Sequence, residues 1–414
     1  MANPLIVGVD LHRKTNSFCI MDAKGQILSP PSRTDNNRPG TNTFIRQVIQ
    51  TASQGEYDSI QIAAEATGIY WWHFFQTLSQ DPFLNQFPIY LYPINPRMVA
   101  NFKKSYSEMD KTDPIDAFVI ADRLRMGRNL PNPFQPDDTF FPLRCLTRYR
   151  FHIIHNLARE KAYCLSILYL KASEYSRLMP FSDIFGAASR AVLQEFSSIE
   201  EISQIPFDQL VQFIKIKGKN RFPNPQQNAR KLKLVAENSY HLPQSLKEPI
   251  NLILKMSLQQ ISSLHHQEQQ LNEAIAHLME DIPHTLDSIP GFGPVFSAAI
   301  IAEIGDLKRF DYNQAKVAKY AGFTWRKHQS GQFQAEETPL CRSGNRYLRY
   351  YLCEAANKVR MHAPEYADYY AKKYKEVPNH RHKRAIVLTA RKLIRLIVRL
   401  LTDNQPYQPG RYKG

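Results

Sequence analysis

The sequence predicts three successive parts: an α/β N-terminal domain, a long helical middle with coiled-coil character, and a mostly α C-terminal domain. Three observations carry that reading. β-branched runs alternate with helical stretches over the first third, apolar residues recur at three- and four-residue steps through the middle, and short helices bounded by glycine and proline lead into a cation-rich end. The expected boundaries are 1–140, 141–280 and 281–403, with a flexible tail at 404–414.

Residues 5–9, Leu-Ile-Val-Gly-Val, read as a first strand ending at Asp10, and residues 15–21 as a second, closed by the turn Asp22-Ala-Lys-Gly25. A third strand is expected at 26–28, a fourth at 59–64 ending at Glu65, an aromatic helix at 70–78 and a fifth strand at 88–93. In sheets whose strands alternate with helices, ligands gather beyond the carboxyl ends of the strands. Asp10 and Glu65 both occupy such ends.

A basic amphipathic helix is expected from Asn95 to Lys104, and a further helix from Pro114 to about Arg125. Asp113 and Asp116, three apart, then share one face. Aspartate as N-cap, proline at the first helical position and an acid two residues on also describe an ordinary helix start, so the pair alone decides little. The set of four decides more. Two carboxylates at strand ends and two on one helical face suit oxygen-preferring Mg²⁺, with Mn²⁺ as an alternative, because such ions stabilise the attacking and leaving oxygens of phosphoryl transfer. No histidine or cysteine cluster is expected to compete for a softer metal. The order of these acids resembles that of the RuvC-like branch of the ribonuclease H fold.

In the middle, Leu146, Ile153, Leu157, Cys164 and Leu168 set a helical period from 143 to 179, with arginines and lysines between them. A second long helix is expected from Pro249 to Met279, its seam being Ile261, Leu264, Leu271, Ile275 and Leu278, interrupted by Glu268. An intramolecular hairpin and a dimer seam fit this pattern equally. Residues 181–242, rich in lysine, proline and asparagine, read as a solvated loop with short helices and a phosphate-contacting bias, and 180–245 as an insertion.

In the last third, Ile289-Pro-Gly291-Phe-Gly293-Pro followed by a helix of small residues resembles a helix-hairpin-helix module, which contacts phosphates through backbone N–H groups. A helix at 316–320 precedes a turn-rich segment with Arg326, Lys327, His328 and Ser330-Gly, and then Arg342-Ser343-Gly-Asn-Arg346-Tyr-Leu-Arg349. A loop serine beside cations is placed to attack a phosphodiester, because the cations stabilise the charge that develops. From 369 to 401 ten lysines and arginines face a single acid, Glu376, along what reads as one core-packed helix with a phosphate-facing side.

The chain carries 53 Lys and Arg against 38 Asp and Glu, a formal charge of +15. With 43% hydrophobic residues that charge belongs to folded domains, not to a disordered tail. No apolar run approaches the roughly 18 to 20 residues of a spanning helix, which favours nucleic acid over membrane. The first residues do not read as a signal peptide, and five cysteines without a C-x-x-C pair read as reduced thiols of a cytoplasmic protein.

Val7-Gly-Val-Asp10, Ala64-Glu65-Ala-Thr-Gly68, Asn95-Pro96, Lys111-Thr-Asp113-Pro-Ile-Asp116-Ala, Leu143-Arg-Cys-Leu-Thr-Arg148, Ile289-Pro-Gly-Phe-Gly293, Ser330-Gly and Arg346-Tyr-Leu-Arg349 together resemble the DEDD insertion-sequence transposases related to the Piv-type DNA invertases. The resemblance spans the chain apart from about 180–245. It implies a DNA recombinase of a bacterial or archaeal mobile element, nucleoid-associated and assembled as a homo-dimer or homo-tetramer. Asp10, Glu65, Asp113 and Asp116 would bind Mg²⁺, and Ser330 would form a covalent phosphoserine link to DNA. It also implies an element-encoded guide RNA, and contacts to nucleic acid from Gly291, Gly293, Arg326, Lys327, Arg346 and Arg349. Family members often carry Lys-Arg-Gly where this chain has Arg342-Ser343-Gly344, so Ser343 is a second candidate nucleophile. The runner-up function is a RuvC-like junction resolvase in which water attacks.

Overall fold

A computed structural model describes residues 3–106, 110, 112–137, 139–325, 329–330, 333–334, 340–341 and 343–410. The chain divides into two compact units, 1–138 and 139–414.

The first unit is mixed α/β. Its elements are β1 (Pro4–Leu11), β2 (Thr15–Met21), β3 (Ser32–Asp35), α1 (Arg38–Ala52), β4 (Ser59–Glu65), α2 (Tyr70–Gln80), β5 (Ile89–Ile94), α3 (Pro96–Lys103) and α4 (Asp113–Arg125). The strands form one sheet in the order β3-β2-β1-β4-β5, with β2 antiparallel to both of its neighbours and β1, β4 and β5 mutually parallel. Alternation along β1 sends Leu5, Val7 and Val9 to one face, against Phe44, Phe74 and Phe75 of α1 and α2. Ile6 faces the other side with Met21 and Ala63, under Ala117, Ile120 and Leu124 of α4. Gly8 sits where α4 crosses: a Cβ there would lie 2.2 Å from the Ala121 backbone nitrogen, so only glycine lets the helix lie this close to the strand.

Two expectations for this unit need correction. Residues 26–28 form no strand; Ile27 makes an isolated bridge to Met21, and pairing resumes only after Pro30 and Pro31, which have no N–H to give a ladder. Helix α1 has no counterpart among the expected elements. Its start is fixed by Asn37, whose side chain accepts from the Gly40 N–H at 2.8 Å, and its buried stripe is Phe44, Ile45, Val48 and Ala52.

The second unit is almost wholly helical: α5 (Phe140–Lys171), α6 (Tyr175–Leu178), α7 (Ala187–Glu195), α8 (Ile199–Gln204), α9 (Phe207–Lys217), α10 (Pro225–Asn238), α11 (Gln244–Met279), α12 (Pro294–Ile304) and α13 (Gln314–Ala321). A two-stranded hairpin, β6 (Gln329–Ser330) and β7 (Phe333–Gln334), precedes α14 (Arg346–His362), α15 (Pro364–Lys375) and α16 (Arg381–Asp403). Helices α5 and α11 run antiparallel as a spine, of the two arrangements their pattern allowed the intramolecular one. Arg150 reaches Glu268 at 2.7 Å and Asn272 at 2.6 Å, while Ser257 donates to Glu160 at 2.5 Å. Glu268, which breaks the apolar seam, is thereby paired. At one end of the spine Leu143, Ile275 and Met279 join the core of α12 to α16; at the other, Leu157, Leu168, Leu254 and Leu258 join a second core with α6 to α10.

Several boundaries and surfaces differ from expectation. The first long helix stops at Lys171, and the second begins five residues before Pro249. At its far end Leu278 is exposed and Met279 takes the buried position. Residues 181–242 are not a solvated loop: α7 to α10 bury Val192, Leu193, Leu210, Ile214, Leu232 and Val235 at helical spacing. The basic C-terminal run is two helices. Glu376 at the elbow accepts from Lys373 at 2.6 Å and Arg384 at 3.0 Å, and His380 adopts a left-handed conformation.

Candidate functional site

Asp10 is the next-to-last residue of β1 and Glu65 the last of β4. Because these strands are parallel with Val9 opposite Ala64, both carboxylates leave the same edge of the sheet. The close crossing at Gly8 brings the first turn of α4 to that edge, carrying Asp113 and Asp116. Thr112 is the N-cap, one residue earlier than expected. Its carbonyl accepts from the Asp116 N–H at 3.0 Å, and both acids benefit from the positive end of the helix dipole.

Burial raises the Asp10 carboxyl above its ordinary range, His12 lowers it, and the charges of Asp116, Asp113 and Glu65 raise it again. Asp10 therefore feels the charge of the other three acids. His12 stands between two of them, its Nε2 3.1 Å from Asp10 Oδ2 and 3.4 Å from Asp113 Oδ1. Lys103 of α3 forms an ion pair with Asp116, and Thr67 donates to Glu65 Oε1 at 2.6 Å.

His12 joins the acids as a residue outside the expected set of four: donor atoms of Asp10, His12 and Asp113 all lie within 4.8 Å of one another. The signal was present as Asp10-x-His12, since residues two apart in extended chain share a face. A crowd of carboxylates contacted by a lysine and a histidine fits a divalent cation. The oxygen donors are those such ions prefer, and their mutual repulsion is what a bound cation relieves.

The remaining candidates lie in the second unit. Ser330 is in β6, its backbone paired with Phe333 of β7, and Trp325 bridges Leu340 farther from the tip. Arg326 and Lys327 lie outside the described residues. Ser343 is exposed, with its Oγ 2.9 Å from the Cys341 sulfur. It lies just before α14, whose cap Asn345 accepts from the Tyr347 and Leu348 N–H groups, each at 3.0 Å, while its own amide donates to Glu303 and Tyr320. The Arg346 guanidinium lies 4.7 Å from the centre of the Tyr347 ring and donates to its hydroxyl. Arg349 donates to the Ala321 carbonyl at the end of α13.

The glycine motif departs from the expected module. In place of a first helix there is a single 3₁₀ turn, Leu286–Ser288. Gly291, at φ +81°, lets this turn approach α14, since a Cβ there would meet the His362 ring at 2.6 Å and the Lys358 carbonyl at 3.1 Å. Gly293 caps α12 with open space around it. Arg148, in the basic face of α5, is engaged internally, forming two hydrogen bonds at 2.6 and 2.9 Å to Glu303, which is buried.

Residues 7–171 match the transposase family named for the DEDD enzymes of IS110, and residues 283–371 match the "Transposase IS116/IS110/IS902 family". The chain is 24% identical over 317 residues to the insertion element IS116 uncharacterized 44.8 kDa protein of Streptomyces clavuligerus, covering 76% of this chain and 77% of that one. It is 24% identical over 424 residues to the insertion element IS900 uncharacterized 42 kDa protein of Mycobacterium paratuberculosis, covering 99% and 98%. A third relative, the transposase for insertion sequence element IS1111A of Coxiella burnetii, is 26% identical over 178 residues, 43% and 48% of the two chains.

Proposed function

The chain belongs to the DEDD-type insertion-sequence transposases, DNA-recombining enzymes, and from that membership we propose that it cuts and rejoins strands through a carboxylate-bound Mg²⁺ and a serine nucleophile. The observation that carries the reading is the placement of Asp10 and Glu65 at the ends of parallel β1 and β4 in a β3-β2-β1-β4-β5 sheet, with the first turn of α4, bearing Asp113 and Asp116, joined to Asp10 through His12. That strand order, with its carboxylates at the ends of β1 and β4, supports a RuvC-like, ribonuclease H-type unit.

When bound, Mg²⁺ supplies charge withdrawal from the scissile phosphate. Asp10, Glu65, Asp113 and Asp116 would hold it, and Lys103 and His12 would then yield part of their contact with Asp116, Asp10 and Asp113. Ser330 Oγ attacks the phosphorus, the scissile P–O bond breaks, the departing oxygen takes up a proton, and one strand end stays esterified to serine. Attack by the hydroxyl of the joining strand on that phosphoserine reverses the geometry and frees the serine. Ser343 is the alternative position for this nucleophile. We further infer contacts to DNA from the Gly293 end of α12, from Arg326, Lys327, Arg346 and Arg349, and from the Gly291 turn only where backbone is free. Target choice by a paired guide RNA, a homo-dimeric or homo-tetrameric assembly, and action in the cytoplasm at the nucleoid complete the proposal.

The carboxylate reading is tested with Asp113→Asn, which keeps the helix start and removes one charge. Cleavage of element-end DNA, in the presence of Mg²⁺ and the RNA encoded beside the gene, should fall by at least about a hundredfold, as expected when a group that organises phosphoryl transfer is lost. Cleavage at the wild-type rate, or cleavage that survives chelation, would overturn it.

A further inference from the structure

Residues 172–282 fall outside both matched family regions, and they hold a concentration of positive charge. Between Asp208 and Glu237 stand Lys215, Lys217, Lys219, Arg221, Arg230, Lys231 and Lys233, with no acid among them. Two of these are directed to internal carbonyls: Lys231 donates to Met179 at 3.2 Å and Lys233 to Ser203 at 2.8 Å. Lys215, Lys217, Lys219, Arg221 and Arg230 form no ion pair among the described residues; the pairs nearby are Arg177 with Glu174, and His241 and Lys247 with Glu200.

The backbone gathers these cations, of which Lys217 lies over the Phe213 ring at 5.5 Å. Helix α9 ends at Lys217, Lys219 and Asn220 take left-handed conformations at φ 53° and 55°, and the Asn220 N–H returns to the Lys215 carbonyl at 2.9 Å. The reversal opens a cleft of about 360 Å³ lined by Lys215, Asn220 and Gln226 among others. Lys219 stands four residues beyond Lys215, and Arg230 one helical turn beyond Gln226 on the same face of α10. Exposed cations therefore continue away from the cleft at Lys219 in the reversal after α9 and at Arg230 on α10.

We propose that this edge of the α9–α10 cap is a second DNA-contacting surface, taking the phosphate backbone of duplex DNA without reading its sequence. Cations flanked by amides supply phosphate contacts, and duplex DNA presents phosphates at regular spacing. Among the described residues a single aromatic ring lines the cleft, Phe222, and it is packed 5.6 Å from Phe181 and over Gly218; with no run of rings on which successive bases could stack, the surface favours duplex over single-stranded partners. It would hold DNA through a part of the chain that contributes none of the proposed catalytic groups.

The test measures binding alone, with the full-length protein and a chelator present, so that failure of the metal or serine assignments leaves it untouched. A duplex of arbitrary sequence and a single-stranded RNA are titrated with wild type, with the triple variant Lys215→Gln, Lys219→Gln and Arg230→Gln, and with the charge-keeping variant Lys215→Arg, Lys219→Arg and Arg230→Lys. Each neutralised contact lowers the salt slope by about 0.9, so between about 50 and about 200 mM salt the wild type should lose roughly 40-fold more duplex affinity than the glutamine variant. The charge-keeping variant should follow wild type, and both variants should unfold at the wild-type temperature. Equal affinity and salt slope in all three proteins would overturn the proposal. A loss confined to RNA, or an equal loss in the charge-keeping variant, would do the same.

Discussion

At the residue scale, the acidic cluster is compensated by neighbours that its chemistry does not require. The His12 ring bridges Asp10 and Asp113, and Lys103 supplies positive charge to Asp116, where four carboxylates would otherwise repel one another. A second residue, Lys171, is costly for a different reason. It is buried at the end of α5, where its ammonium donates to the Leu193 and Phe196 carbonyls at the end of α7, and burial lowers its pKa to about 8. A lysine whose folded pKa lies below its unfolded one is a penalty at neutral pH, and the penalty fades as pH rises from about 8 to the unfolded value near 10.5. Cys19, buried, and Cys353, half-buried, act in the opposite direction, since desolvation pushes their thiols up to about 11 and about 12. They do so equally in a Lys171→Met variant. The stability difference between wild type and Lys171→Met in urea titrations should therefore shift in favour of wild type between pH 8 and 10.5, by about 2 to 3 kcal/mol for a shift of this size. A pH-independent difference would show that the lysine is neutral, or solvated, in the folded state.

At the element scale, the site depends on one crossing. Helix α4 can bring Asp113 and Asp116 to Asp10 only because Gly8 has no side chain beneath Ala121. Gly8→Ala should cost about 1 to 3 kcal/mol of stability through overpacking. It should also reduce metal-dependent cleavage more than it reduces DNA binding, because the helix that carries two of the acids must move. Thermal melts and cleavage assays check this; full cleavage activity in Gly8→Ala would mean that α4 tolerates displacement. The strands and helices of this region were legible in the sequence where apolar alternation or a proline and acid start marked them, as in β1, β2, β4, β5 and α4. Elements held by less local signals were not. Strand β3 is four residues behind two prolines, and α1 shows a sparse apolar stripe in a polar segment. Helices α7 to α10 are amphipathic, but their lysines and prolines obscured the period. His12 could be read as a neighbour of Asp10 from the Asp10-x-His12 spacing, but Lys103 could not be read as a partner of Asp116, because only tertiary packing brings α3 to the first turn of α4.

At the scale of the whole molecule, the excess of fifteen positive charges is not one DNA-binding surface. Part of it stabilises the fold. Arg148 neutralises buried Glu303, Arg150 fills the break in the α5–α11 seam, and Lys373 and Arg384 close the elbow at Glu376. Part is exposed, most plainly on the α9–α10 cap. Among the described residues no helix is long and apolar enough to cross a membrane, and the transposase family implies a DNA partner. The central claim is that the carboxylate edge and Ser330 serve one strand-transfer reaction, and the most direct measurement is the protein–DNA link itself. Labelled element-end DNA, incubated with RNA and Mg²⁺ and then denatured, should stay attached to wild-type protein through a peptide containing Ser330. Ser330→Ala and Asp113→Asn should each leave no attached label. Attachment that persists in Ser330→Ala, or Mg²⁺-dependent cutting by wild type with no attached label at all, would contradict the account.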